Sequence, residues 1–162
     1  MASPQTCNDK FIMIWLWVHE TMRVFHDRLV SMEDRFWVTN YVTELINEVF
    51  KEKIEYKELF EDRNIIFGDF MSQGDISEWR YEEVPDQKQF EKVMSNYVSG
   101  FNIEYPNNKL ELVLFKDALN HLSRISRILR QQRGNALLIG VGGCGKQTLT
   151  KLSAYISGSH IA

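Results

Sequence analysis

Phe11, Trp15, Val18, Met22, Phe25 and Leu29 recur in steps of four and three, the spacing that lines one face of an α-helix. Arg23, Asp27 and Arg28 fall off that stripe and are expected to stay in water. Ser31, with Asp34 three residues on, predicts an N-cap. The second helix, starting there, would present Tyr41, Val42, Leu45, Ile46, Val49 and Phe50. Two such stripes predict an αα-hairpin that needs further apolar cover. Beyond about residue 60 the pattern changes. Asn64 to Met71 is a short apolar run broken by Gly68 and predicted as extended, Ser72-Gln73-Gly74-Asp75 is turn chemistry, and Pro85 is a further break. Phe90, Val93, Met94, Tyr97 and Val98 predict a third helix stopped by Gly100 as its C′ residue. Residues 102–108, with Pro106, read as a loop. A fourth helix is predicted from about Leu110 to Gln132, burying Phe115, Ala118, Leu122, Ile125 and Leu129. Arg124, Arg127, Arg130 and Arg133 drift toward its C-terminus, where positive charge complements the helix dipole. They are expected to form a solvated basic end, with a phosphate-facing or subunit-facing role as the alternative.

Composition narrows the class. The 162 residues are 44% hydrophobic and 12% aromatic, enough to bury a core and too apolar for a disordered chain. A net charge of −3 gives no electrostatic reason to expect nucleic acid or an anionic membrane as partner. Two cysteines, Cys7 and Cys144, cannot make a disulfide scaffold, which points to a reducing cytosolic setting. The most apolar run, Phe11 to Val18, is too short to span a bilayer and lacks the flanks of a signal peptide, so a soluble chain is expected.

The chemistry concentrates near residue 140. Asn135-Ala136-Leu137-Leu138-Ile139 reads as a buried strand running into Gly140-Val141-Gly142-Gly143-Cys144-Gly145-Lys146-Gln147-Thr148, and Leu149, Leu152, Tyr155 and Ile156 then take helical spacing. Strand, Gly-rich loop and helix in that order, with the pattern G-x-x-x-x-G-K, are the context of a phosphate-binding loop. Glycines let the backbone turn its N–H groups toward phosphate oxygens, the helix start adds its positive end, and Lys146 can reach the β- and γ-phosphates.

The loop departs from the full pattern in two ways. The residue after the lysine normally offers a hydroxyl to Mg²⁺. Here it is Gln147, and Thr148 lies one residue on, a rotation of about 100° round a helix. Phosphate binding is expected to survive while metal placement suffers. Hydrolysis also needs an acid at the end of another strand, and no strand–acid pair follows the loop in this sequence. Ile65 to Asp69 and Leu112 to Asp117 imitate that pattern loosely, the second on a helical face. The chain alone is therefore not expected to be an ATPase, and no catalytic or metal-binding residue is assigned. His19 and His26, beside Glu20 and Asp27, lack a third ligand of matching spacing and read as surface or boundary histidines. Cys144, at a helix start, is expected to have a lowered thiol pKa.

The run Arg130 to Thr150 resembles axonemal dynein heavy chains, specifically the P-loop of the fourth AAA+ module of the motor ring, where a glutamine follows the lysine. Trp17-Val18-His19-Glu20 and Arg23 to Val30 resemble the helical lid of the third module. Phe67-Gly68-Asp69-Phe70 and Leu112 to Leu129 resemble the connection into module four. The resemblance implies a mainly α chain with a partial α/β P-loop (AAA+) core, a helical lid plus an incomplete parallel sheet. It divides the chain into a lid at 1–60, a connecting segment at 61–109 and the start of module four at 110–162. It further implies an ATP-driven, minus-end-directed microtubule motor of cilia and flagella, in which this P-loop is regulatory. Carried over residue by residue, Gly140, Val141, Gly142, Gly143, Cys144, Gly145, Lys146, Gln147 and Thr148 would bind ATP or ADP with Mg²⁺, and an adenine pocket would lie around Leu112 to Phe115. Partners would be the rest of the motor ring, dynein intermediate and light chains, and microtubules, in the cytoskeleton of the axoneme. The strand Asn135 to Ile139, without its sheet neighbours, is expected to leave an apolar edge exposed. Competing readings are a small P-loop enzyme such as a kinase, a non-catalytic helical interaction module using an exposed Trp15/Trp17 face, and a truncated product with no motor activity of its own.

Overall fold

A computed structural model describes residues 8–72 and 79–161. The turn expected at Gln73-Gly74-Asp75, and Cys7, lie outside the described residues. The described chain is mainly helical, with one two-stranded sheet, and it divides into two compact units.

The first unit comprises residues 1–67 and 81–83. Helix α1 (Lys10–Thr21) starts on Asp9, whose carboxylate accepts from the N–H groups of Phe11 and Ile12. It runs into a wider π-helical turn, Met22–His26. That turn corrects the expected stripe: Trp15, Val18 and Met22 are buried, but Phe25 is exposed and Leu29 lies beyond the helix. A π turn adds a residue to the repeat and rotates the residues after it off the 3.6-residue face. Helix α2 (Met32–Leu45) begins as expected, with Ser31 Oγ accepting from Glu33 and Asp34 N–H groups at 3.2 and 3.5 Å. It too ends in a π turn, Ile46–Phe50, closed by Lys51 in the left-handed region at φ 58°. Val42 and Ile46 are buried with Thr39, while Tyr41 and Val49 face solvent, against expectation. Asn47 ties the exit back: its side-chain oxygen accepts from Ile54 N–H at 3.1 Å and its amide donates to Thr43 O at 3.0 Å. The short helix α3 (Tyr56–Phe60) and strands β1 (Phe67–Gly68) and β2 (Glu82–Glu83) supply the missing cover, with Leu59 and Phe67 joining Ile14, Trp15, Val18 and Ile46 in one core.

His19 belongs to that core and is no surface histidine. It is buried, with Nδ1 3.2 Å from Ile65 O and its ring 5.7 Å from that of Phe67. It sits one turn after Trp15, at the edge of the apolar stripe, where the chain leading into β1 covers it. His26 is separate from it and lies beside Asp27. Burial lowers the His26 pKa, with Asp27 opposing and Arg35 and Arg23 reinforcing the shift. Trp15 is buried too, and half-buried Trp17 packs edge-on against Phe50 at 5.4 Å, so the Trp15/Trp17 face is internal rather than exposed.

The second unit comprises residues 68–80 and 84–162. Helix α4 (Gln87–Glu104) is capped by Asp86, whose carboxylate accepts from Gln89 N–H at 2.8 Å. It does not stop at Gly100. The buried face continues from Phe90 and Met94 to Phe101, and the bare Cα of Gly100 leaves room for the Tyr155 hydroxyl, which would lie 3.0 Å from an added Cβ. Asn102, expected in a loop, is helical and clamps the next segment, with Oδ1 accepting from Leu110 N–H at 2.7 Å and Nδ2 donating to Leu110 O at 3.1 Å. Helix α5 spans Lys116–Arg130, shorter than predicted. Leu110 to Phe115 lies outside the helix instead, with Phe115 in extended backbone: Leu110 is buried and Leu112 and Leu114 half-buried, while Glu111, Val113 and Phe115 face solvent. That two-residue alternation is a strand pattern, and it removes Phe115 from the helical stripe; Ala118, Leu122 and Ile125 are buried there as expected. Helix α6 (Lys146–Ile156) packs against α5 and α4 through Leu149, Leu152 and Ile156. No helix among the described residues is long and apolar enough to cross a membrane.

Candidate functional site

The arginine run is not a simple solvated end. Arg130 Nε donates to Asp69 Oδ2 at 2.7 Å, and its guanidinium stacks 4.9 Å from the Trp79 ring centroid. Arg124 and Arg127 are half-buried. Asp69 thus comes just after strand β1, as the loose strand–acid pattern required, but its carboxylate is engaged by Arg130. Beside it the Tyr97 hydroxyl donates to Phe70 O at 3.2 Å. Its pKa is pushed up to about 12, first by burial and then by the Asp69 charge. Asp117, in the other imitation, sits in the first turn of α5, where it complements the helix dipole.

After α5 the chain turns at Arg133 and reaches the loop without regular secondary structure. The expected strand Asn135 to Ile139 has no regular secondary structure and pairs with no strand among the described residues, and Leu137 and Ile139 are 85% and 86% exposed. Apolar side chains remain in water here because no neighbouring strand covers them.

The loop itself is defined by two left-handed glycines and one lysine. Gly143 and Gly145 both have φ 76°, a region that costs an L residue about 1 kcal/mol or more. Gly145 is the N-cap of α6, and no side chain caps that helix start. The first N–H groups of a helix lack intrahelical acceptors, so an uncapped start offers donors and a positive dipole end to an anion. Lys146 Nζ turns back into the mouth of the loop, donating to Gly140 O at 2.8 Å, Val141 O at 2.6 Å and Cys144 Sγ at 3.2 Å. The loop is wrapped around this ammonium. The Lys146 contact is also the main reason the Cys144 thiol pKa is lowered, with desolvation opposing. Gln147 faces solvent, while Thr148 is half-buried. The two are not interchangeable in direction, as one helical step requires.

Of the loop residues singled out from the sequence, the structure brings Gly140, Val141, Cys144 and Lys146 together. The Asp69–Arg130–Trp79 cluster was missed. Its signal was an arginine at the end of an apolar helical stripe, too close to the core to remain fully wet. Among the described residues, no group of three His, Cys, Asp or Glu side chains is arranged to hold a metal ion.

Residues 110–162 match the family model of the P-loop containing dynein motor region D4. The chain is 43% identical over 158 residues to dynein axonemal heavy chain 6 of Homo sapiens, covering 97% of this chain and 4% of that one. It is 40% identical over 158 residues to dynein axonemal heavy chain 1 of Mus musculus, again 97% of this chain and 4% of the relative. Over 162 residues it is 38% identical to dynein axonemal heavy chain 10 of Homo sapiens, covering 99% of this chain and 4% of that one. The chain is homologous to axonemal dynein heavy chains along nearly its whole length, and spans about 4% of the length of these relatives.

Proposed function

We propose that the chain is a segment of an axonemal dynein heavy chain whose loop at residues 140–148 binds ATP or ADP as a regulatory site of the motor ring. The observation that carries this reading is the Lys146 ammonium, held in the mouth of a Gly-rich loop at the uncapped start of α6. That is where a phosphate would meet a mobile point charge, backbone N–H groups and a helix dipole together. Gly140, Val141, Gly142, Gly143, Cys144, Gly145 and Lys146 would hold the β- and γ-phosphates. Gln147 and Thr148 would border the same phosphates, and no residue of the loop is assigned to hold Mg²⁺. At Leu112 to Phe115, where the adenine would lie, Leu112 and Leu114 are half-buried while Val113 and Phe115 face solvent. The parent protein would be a microtubule motor of the axoneme, assembled with its ring, intermediate and light chains. Residues 1–60 would serve as the lid of the third AAA+ module, 61–109 as the connection, and 110–162 as the opening of the fourth, an incomplete P-loop core. The assignment predicts phosphate selectivity. In calorimetric titrations with Mg²⁺ present, ADP and ATP should bind at least about tenfold more tightly than AMP, which lacks the β-phosphate that Lys146 would contact. Equal affinity for all three would overturn it.

A further inference from the structure

Helix α2 buries one face and leaves the other bare. Phe36 and Trp37 are 59% and 64% exposed, and Tyr41 stacks on Trp37 with ring centroids 5.2 Å apart and planes at 13°. With Glu33, Asn40 and Glu44 these aromatics line an opening of about 370 Å³ on the surface of the first unit. The spacing 33, 37, 40, 41, 44 places all of them on one stripe of the helix. Glu33 lies one turn before Trp37 and Glu44 one turn after Tyr41, so carboxylates bracket the stacked rings at both ends.

No cation of this helix answers them. Residues 36–50 contain no lysine or arginine, and Arg35 turns its Nε to Leu29 O at 2.8 Å. The opening is therefore aromatic in the middle and negative at the rim. Aromatic faces carry negative quadrupole potential and attract guanidinium or ammonium groups, and carboxylates beside them add to that attraction. The same charges disfavour the alternatives. An anionic lipid surface or a nucleic acid would meet the two glutamates with like charge. A two-fold dimer through this stripe would set its own acids against themselves, because an isologous contact joins a patch to its copy.

We propose that the Glu33–Trp37–Tyr41–Glu44 stripe of α2 docks an arginine- or lysine-bearing amphipathic segment of a protein partner, its cation over the Trp37–Tyr41 pair and between the two carboxylates. This surface is independent of the nucleotide loop, so either proposal can fail without the other.

The test uses the full 162-residue chain and two labelled helical peptides of identical leucine spacing, one carrying arginines and the other glutamates at the polar positions. The expected result is anisotropy-detected binding of the Arg/Leu peptide alone, weakening as salt rises. Trp37→Ala should weaken it at least about fivefold. Glu33→Gln with Glu44→Gln should weaken it and flatten its salt dependence. All three side chains are exposed, so the fold should survive these changes, checked by unchanged circular dichroism. Equal binding of both peptides would show a merely apolar surface, and binding of neither would show no docking site. Self-association of the chain that Trp37→Ala abolishes would show a dimer face. Each of these three results overturns the proposal.

Discussion

Lys146→Ala is expected to weaken binding of Mg-ADP and Mg-ATP by roughly 10- to 100-fold, the range of a lost charge-assisted hydrogen bond at about 1.5–3 kcal/mol. Calorimetry on the wild-type chain and the variant measures this directly. The structure gives a reason for an effect at the upper end. Lys146 Nζ bonds to Gly140 O and Val141 O at the far side of the loop, so its removal deletes the positive charge facing the phosphates and also the group around which the loop is wrapped. Lys146→Arg should recover only part of the affinity, because a planar guanidinium cannot place its donors like a compact ammonium. Gln147→Ser restores the hydroxyl usually found at the metal position and should leave phosphate affinity within a few fold. Unchanged nucleotide affinity in Lys146→Ala would remove the lysine from the site.

The largest effect on stability is expected at Phe101. Its ring is fully buried in the second unit, stacked on Tyr105 at 4.7 Å and meeting Tyr155 of α6 edge-on at 5.4 Å. Phe101→Ala should cost about 3–5 kcal/mol, as large aromatic truncations in cores do. Against a typical total of about 5–15 kcal/mol, that is a large share of a small domain's stability. Urea titration followed by circular dichroism would read it as a shift of midpoint at constant slope. Phe101→Leu should recover much of the loss by refilling the space. Because Phe101 braces Tyr155, the truncation also loosens α6, and nucleotide binding should weaken although no residue of the loop has changed. A loss under about 1 kcal/mol would contradict the packing described for Phe101.

Local signals with a self-contained geometry were legible in the sequence. Ser31 caps α2 because a hydroxyl followed by two acids needs nothing distant to bond the first turn. The buried positions Trp15, Val18, Met22 and Ala118, Leu122, Ile125 were readable from periodicity alone. Features set by tertiary contact were not. The π turns at 22–26 and 46–50 shift the helical face by one residue, and no residue type announces them. Gly100 reads locally as a helix stop, yet Tyr155 packs against it and α4 runs on to Glu104. Leu110 to Phe115 fits helical and extended spacing about equally over so few residues. The clamp from Asn102 to Leu110 keeps it outside the helix. In the candidate site, the loop and its lysine were legible because glycine and lysine spacing is itself the signal. The Lys146–Cys144 contact and the pairing of Arg130 with Asp69 depend on how the chain folds back, across 61 residues in the second case.

The most direct measurement is the backbone amide spectrum of the ¹⁵N-labelled chain during titration with Mg-ADP. Saturable shifts should concentrate at Gly140 to Thr148, including the two left-handed glycines Gly143 and Gly145, while the amides around Trp37 on α2 stay unmoved. Saturation without shifts at 140–148, or no change at millimolar nucleotide, would contradict a phosphate-binding role for this loop.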